Sequence, residues 1–197
     1  MIVIGLTGSI ASGKSTVLRM FAEEGIPTLS ADQIVHALYE SESVPAFEVA
    51  FPGSVREGKV DRDALMRIMI AEPDSTKKIE ALIHPAVRRR MLAFAESRRA
   101  RAERMVVLEI PLLFELGESY PIDKVVVTWA DPDELRGRAL SRAGMSPTRY
   151  KYLLERQLSQ DEKRARADFT IDTGQPPDAV RNEVRAIIAA CLDTPVR

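Results

Sequence analysis

The segment Gly8-Ser9-Ile10-Ala11-Ser12-Gly13-Lys14-Ser15 constrains this chain more than any other feature. It satisfies G-x-x-x-x-G-K-[ST] at every fixed position, after an apolar run (residues 2–6) and before an amphipathic stretch carrying Val17, Leu18 and Phe21. A strand, a tight turn and a helix follow in that order. Gly8 and Gly13 supply backbone angles that a side chain would forbid, so the turn can aim its N–H groups inward at the positive end of the helix. Such a loop holds phosphate oxygens. The Lys14 ammonium is placed to bridge a β- and a γ-phosphate, and the Ser15 hydroxyl to help hold Mg²⁺. Gly5, Gly8 and Gly13 are too widely spaced for the dinucleotide pattern G-x-G-x-x-G, which leaves a nucleoside triphosphate as the expected ligand.

Five short apolar runs, residues 2–6, 26–29, 105–110, 124–129 and 168–171, alternate with helically patterned segments. Continuous runs of that length suit strands buried on both faces, which predicts an α/β fold with a five-stranded parallel sheet in a three-layer α/β/α arrangement. At 197 residues one domain is expected. Its sheet would carry two helical excursions. The first replaces any convincing strand over the ~75 residues between the second and third runs, with helices at 31–41, 62–71 (capped by Asp61) and 75–102, where Pro85 starts a new helix or kinks the old one. The second spans residues 132–167 and is interrupted at Gly144-Met145-Ser146-Pro147, and a last helix covers 178–192. Seven arginines between Arg88 and Arg104 lie opposite the apolar positions Ile83, Val87, Met91 and Phe94, which reads as a solvated helix face or as one or two contacts to a phosphorylated substrate.

Composition narrows the function classes. The formal net charge of −1 offers no positive field for nucleic acid or an anionic membrane, and no apolar stretch approaches the ~20 residues that cross a bilayer. A single cysteine, Cys191 in an apolar run, excludes an internal disulfide and a cysteine-based zinc site. A soluble, cytoplasmic, monomeric protein is expected. Neither N/T-K-x-D nor L-S-G-G-Q is present, which argues against GTPases and ABC-type ATPases and leaves the small metabolite kinases.

Several residues outside the loop then acquire two readings each. Arg138 and Arg142, four apart, would share a helix face on a closing lid and meet the moving phosphoryl group, or would pair with Asp131, Asp133 or Glu134 at the surface. Asp32, just after the second strand, would accept the proton of an attacking hydroxyl or cap the next helix. Glu109 ends the third strand, where a carboxylate can stand near Mg²⁺ or substrate. The following Pro111-Leu112-Leu113-Phe114-Glu115 would form an apolar substrate wall or ordinary core. His84 has only His36 for company and belongs to no metal-ligand cluster.

Taken together, the loop from Gly5 to Val17, Ala31-Asp32, Asp61-Arg62, Leu82-Ile83-His84-Pro85, residues 109–115, Arg138 with Arg142, Arg156-Gln157 and Ala167-Asp168 resemble the dephospho-coenzyme A kinase family over nearly the whole chain. That resemblance implies ATP-dependent phosphorylation of the ribose 3′-hydroxyl of dephospho-CoA, the last step of coenzyme A synthesis, with Mg²⁺. It implies a single kinase domain (1–197) with a helical CoA-binding insertion (31–104) and a lid region (132–167). Asp32 then maps to the base, with Lys14, Arg138 and Arg142 as the other catalytic groups. Residues Gly8 to Thr16 would hold the phosphates, Asp172 and Gly174 would lie near the adenine, and His84, Pro85, Glu109, Pro111, Leu112 and Phe114 would border the acceptor. The chain departs from the family pattern at Ser30 and Asp172, and at Glu109, which keeps the charge of the commoner aspartate on a longer arm.

Overall fold

The apolar runs form one sheet, and its strands at residues 2–8 and 105–109 are covered on both faces. In this computed structural model, residues 1–115, 117 and 120–193 are described, Pro73 by its backbone alone. In chain order the elements are β1 (Ile2–Gly8), α1 (Lys14–Glu23), β2 (Thr28–Ser30), α2 (Ala31–Tyr39), α3 (Val44–Ala50), β3 (Val55–Arg56) and β4 (Lys59–Val60). Then come α4 (Arg62–Ala71), α5 (Pro73–Ala100), β5 (Met105–Glu109), β6 (Lys124–Trp129), α6 (Pro132–Leu140), α7 (Pro147–Glu155), α8 (Gln160–Ala165), β7 (Phe169–Asp172) and α9 (Pro177–Asp193). The sheet order is β2-β5-β1-β6-β7, parallel throughout, within a three-layer α/β/α architecture.

The chain divides into two compact units, Met1–Ser30 with Ala93–Arg197, and Ala31–Leu92. In the first, alternate residues of β1 explain the layering. Ile4 and Leu6 face a buried cluster with Val17, Leu18 and Phe21 of α1 and Val180, Val184 and Ile187 of α9. Cys191 is 3% exposed in that cluster, and burial pushes its thiol up, so it packs as a small apolar side chain. Asp168 fixes the start of β7, because its carboxylate accepts from Val125 N–H and from Lys124 Nζ, both at 2.8 Å. From β1 the chain moves to one side for β2 and later to the other for β6 and β7. The loop after β1 therefore stands where the winding reverses, the usual ligand edge of an open parallel sheet.

The second unit is helical around Leu38, Phe47, Leu65, Ile83 and Val87, with Tyr39 edge-on to Phe47 at 5.2 Å. Asp61 caps α4 as expected, accepting from Asp63 N–H and Ala64 N–H. Three features differ from the sequence reading. Residues 55–60 form a hairpin, paired Val55 to Val60 and Arg56 to Lys59, around Glu57 and Gly58 at φ 51° and 73°. The short helix α3 precedes it. Helix α5 runs unbroken through Pro85, which is exposed; the ring forfeits one backbone hydrogen bond, and the buried residues Ile83, Ala86, Val87 and Met91 hold the helix across it.

Candidate active site

The loop after β1 takes the shape its glycines permit. Gly8 (φ 152°) passes so close to β6 that a Cβ would stand 2.4 Å from Thr128 Oγ1 and 2.6 Å from Ser12 Oγ. Gly13 caps α1 in the left-handed region at φ 81°, and a Cβ there would meet the Thr173 side chain at 3.0 Å. Ala11 also has positive φ (62°), at a cost of about 1–2 kcal/mol. Such alternation of right- and left-handed residues turns successive N–H groups toward one concavity. Side chains lock it: Ser12 Oγ lies 2.7 Å from Thr128 Oγ1, which in turn donates to Thr7 O. Lys14 Nζ folds back on the loop, donating to Gly8 O at 3.0 Å and Ser9 O at 2.9 Å. The Ile10 N–H is engaged by Gln157 Oε1 at 2.9 Å, a contact spanning 147 residues.

The end of β5 supplies a carboxylate beside the loop. Every residue of β5 is buried, and Glu109 is only 1% exposed. Ser15 Oγ donates to Glu109 Oε1 at 3.2 Å, so a hydroxyl and a carboxylate meet at the phosphate-binding loop. Among the described residues no group of three or more His, Cys, Asp or Glu side chains forms a cage that would hold a metal by protein ligands alone. Residues 111–115 are half-buried. Leu113 packs over Gly5, Thr7 Oγ1 donates to Pro111 O, and the guanidinium of Arg166 lies 5.7 Å from the Phe114 ring centre.

Arg138 and Arg142 line one cavity of about 340 Å³ with Ala11, Gly13 and Thr16 of the loop and with Thr173 and Gln175. They do not share a helix face, since α6 ends at Leu140 and Arg142 lies in the turn beyond it. The Arg138 fork is divided. Nη1 donates to Thr173 Oγ1 (3.0 Å) and Nη2 to Thr173 O (2.8 Å), and Nη2 also pairs with Glu134, the surface partner foreseen from spacing. Thr173 is the junction, because its hydroxyl also lies 3.1 Å from both Ser12 O and Trp129 O. Beside it Asp172 organises the turn, accepting from Gly174 N–H and Gln175 Nε2. Burial, joined by the Asp172 charge, pushes the Glu183 carboxyl up, although a backbone hydrogen bond at Asp172 opposes the shift.

The other sequence candidates lie in the 31–92 unit. Asp32 is exposed in the first turn of α2, inside the helix rather than at its cap, and makes no hydrogen bond to another described residue. His84 is half-buried and Pro85 exposed, both within α5. Three residues that do structural work at the site were not singled out from sequence: Thr128, Lys163 and Thr173, although each lay inside or beside a segment that had been noted, and Gln157 was quoted there only as part of the pair Arg156-Gln157.

The family model for dephospho-CoA kinase matches residues 2–178. A dephospho-CoA kinase of Agrobacterium fabrum is 45% identical over 188 residues, covering 95% of this chain and 97% of that protein. Among solved structures, TT1252 from Thermus thermophilus superposes with a TM-score of 0.79 at 33% identity, covering 96% of this chain and 97% of the other. A dephospho-CoA kinase from Campylobacter jejuni gives 0.64 at 27% identity, covering 96% of each.

Proposed function

This chain belongs to the dephospho-CoA kinase family, and from that premise we propose that it transfers the γ-phosphoryl group of ATP to the ribose 3′-hydroxyl of dephospho-CoA, giving coenzyme A and ADP. One observation carries the chemistry: a phosphate-binding loop with its lysine, and a Ser15 hydroxyl bonded to the buried Glu109 carboxylate. Phosphoryl transfer needs positioning and charge stabilisation more than covalent help, and these residues supply both.

The loop amides and Lys14 hold the phosphates, with Lys14 exchanging the carbonyls of Gly8 and Ser9 for phosphate oxygens. The cavity of about 340 Å³ receives the base and ribose of ATP, because loop residues Gly13 and Thr16 line it together with Thr173 and Gln175. Arg138 and Arg142 border the same cavity and stabilise the charge of the moving group. Asp32 accepts or orients the proton of the 3′-hydroxyl, a role open to an exposed carboxylate with no other partner among the described residues. Residues 111–115 border the acceptor.

Hard oxygen donors suit Mg²⁺, which is commonly held by one or two protein oxygens together with substrate phosphates. Ser15 and Glu109 fit that requirement, being 3.2 Å apart at the loop. Ser15 would bind the ion and Glu109 would orient its hydration shell. The ion would neutralise charge on the β- and γ-phosphates.

The test is ADP release from Mg²⁺-ATP with dephospho-CoA, and in parallel with adenosine, AMP and shikimate. Turnover dependent on dephospho-CoA is expected. Turnover with another acceptor and none with dephospho-CoA would overturn the substrate assignment and leave the nucleotide site intact.

A further inference from the structure

Between α7 and β7 lies a segment whose polar groups reach three separate parts of the site. Gln157 Oε1 accepts from Ile10 N–H of the phosphate loop at 2.9 Å. The next residue, Leu158, donates its N–H to Glu115 Oε1 at 3.0 Å. Gln160 brackets Ala130 beyond β6, accepting from its N–H and donating to its carbonyl. Ser159 fixes the turn between them through a reciprocal capping box with Glu162. Behind this row sits Lys163, fully buried at 0% exposure, with Nζ 2.7 Å from the same Glu115 Oε1.

A completely buried lysine is uncommon, and its presence calls for a reason. Net stability is a weak one, since the desolvation of a buried ion pair cancels much of its attraction and apolar side chains of like volume often serve equally well. Direction is the better one. The ammonium meets Oε1 as an ion pair without an aligned hydrogen bond, while Oε2 is buried with no donor among the described residues. The carboxylate is therefore held from one side, by Leu158 N–H and Lys163 together. Glu115 in turn closes the segment that begins at Pro111 and includes Leu113 over Gly5.

We infer that Lys163 is a positioning residue: through Glu115 it clamps residues 111–115 to the Gln157–Leu158 turn that braces the phosphate loop, and so fixes where the acceptor stands relative to ATP. This rests on the reading that residues 111–115 border dephospho-CoA. The clamp acts on the acceptor side: Glu115 and Lys163 hold the Leu158 end of the turn, the Gln157 side chain holds Ile10 N–H without them, and Lys14 and Thr173 make their contacts elsewhere.

The experiment compares wild type, Lys163→Met, Glu115→Gln and the double variant Glu115→Gln/Lys163→Met. It measures thermal midpoint, ATP affinity by equilibrium titration, and KM for dephospho-CoA and for ATP. Lys163→Met leaves Glu115 with Leu158 N–H but without the Lys163 charge, so its midpoint falls. The double variant removes both charges and recovers most of that midpoint. In both, KM for dephospho-CoA is expected to rise about 10-fold, with ATP affinity within about two-fold of wild type. A double variant that regains its midpoint and its acceptor KM together would reduce Lys163 to a structural role and overturn the inference. So would equal losses for ATP and acceptor. Should Lys163→Met fail to fold, the double variant alone decides between these outcomes. Wild-type turnover with dephospho-CoA, run alongside, separates failure of the clamp from failure of the substrate assignment.

Discussion

Replacing Thr173 with valine removes one oxygen from the junction that joins Arg138 to the phosphate loop. The branched shape is kept and the hydroxyl is lost. Arg138 Nη1 then loses its 3.0 Å acceptor, and either Ser12 O or Trp129 O loses a donor at 3.1 Å. A hydrogen bond to a charged group contributes about 1.5–3 kcal/mol and a neutral one about 0.5–1.5 kcal/mol. The lower values apply. The Arg138 side chain is 34% exposed, so water can replace part of its loss, and it keeps Thr173 O at 2.8 Å. Trp129 O also keeps Thr173 N–H at 2.9 Å. The expected destabilisation is about 2 kcal/mol. With a urea dependence of about 2 kcal/mol per molar, the midpoint should fall by about 1 M. Trp129, the only tryptophan, lies at the junction and reports the transition by fluorescence. Thr173→Ser keeps the hydroxyl and should recover most of the loss. A Val variant within about 0.3 M of wild type, or a Ser variant as unstable as Val, would refute the junction role.

Other expectations are as direct. Asp32→Asn should lower kcat by about 10²- to 10⁴-fold with folding intact; a loss below about 10-fold would remove it from proton transfer. Gly8→Ala should lower both thermal midpoint and ATP affinity, because the new Cβ would overlap Thr128 Oγ1 at 2.4 Å; unchanged binding would contradict the loop's packing. Burial tends to raise the Asp168 carboxyl, but the hydrogen bonds from Lys124 and from Val125 N–H outweigh it, so the folded pKa lies below the usual value. The ionised form therefore contributes stability above the unfolded value of about 4, and that contribution is lost as pH falls through the folded value. In denaturation measured from pH 7 to pH 2, Asp168→Asn should be less stable than wild type at neutral pH, with the gap narrowing below about pH 4. A gap that stays constant would contradict it.

How much of this was legible depended on how local each cause is. The phosphate loop could be read because its glycines, lysine and serine lie within eight consecutive residues, and the strand and helix that orient it adjoin it. The sheet was legible because β5 is a continuous apolar run buried on both faces and β6 is buried over Val126, Val127 and Thr128, as residues 105–110 and 124–129 suggested. The hairpin at 55–60 escaped because two-residue strands carry no period to detect. Its only signal was the Glu57-Gly58 turn with two positive φ angles. Of the two readings of Pro85, a new helix start is not met: local propensity favours a break, and tertiary burial along α5 overrides it. Within the site the hidden residues are those acting across the chain. Gln157 meets Ile10 at a separation of 147 residues, and Thr173 meets Ser12 at 161. Lys163 resembles any surface lysine of a charged helix until the fold buries it.

The most direct measurement is the chemical identity of the product. Mg²⁺-ATP and dephospho-CoA would be incubated with the protein, and the nucleotide product examined by mass spectrometry and phosphorus–proton correlation NMR. The account predicts a product one phosphate heavier, with the new phosphorus coupled to the ribose 3′ proton and ADP formed in equal amount. Phosphorus on any other oxygen, or ADP formed with no phosphorylated acceptor, would contradict it.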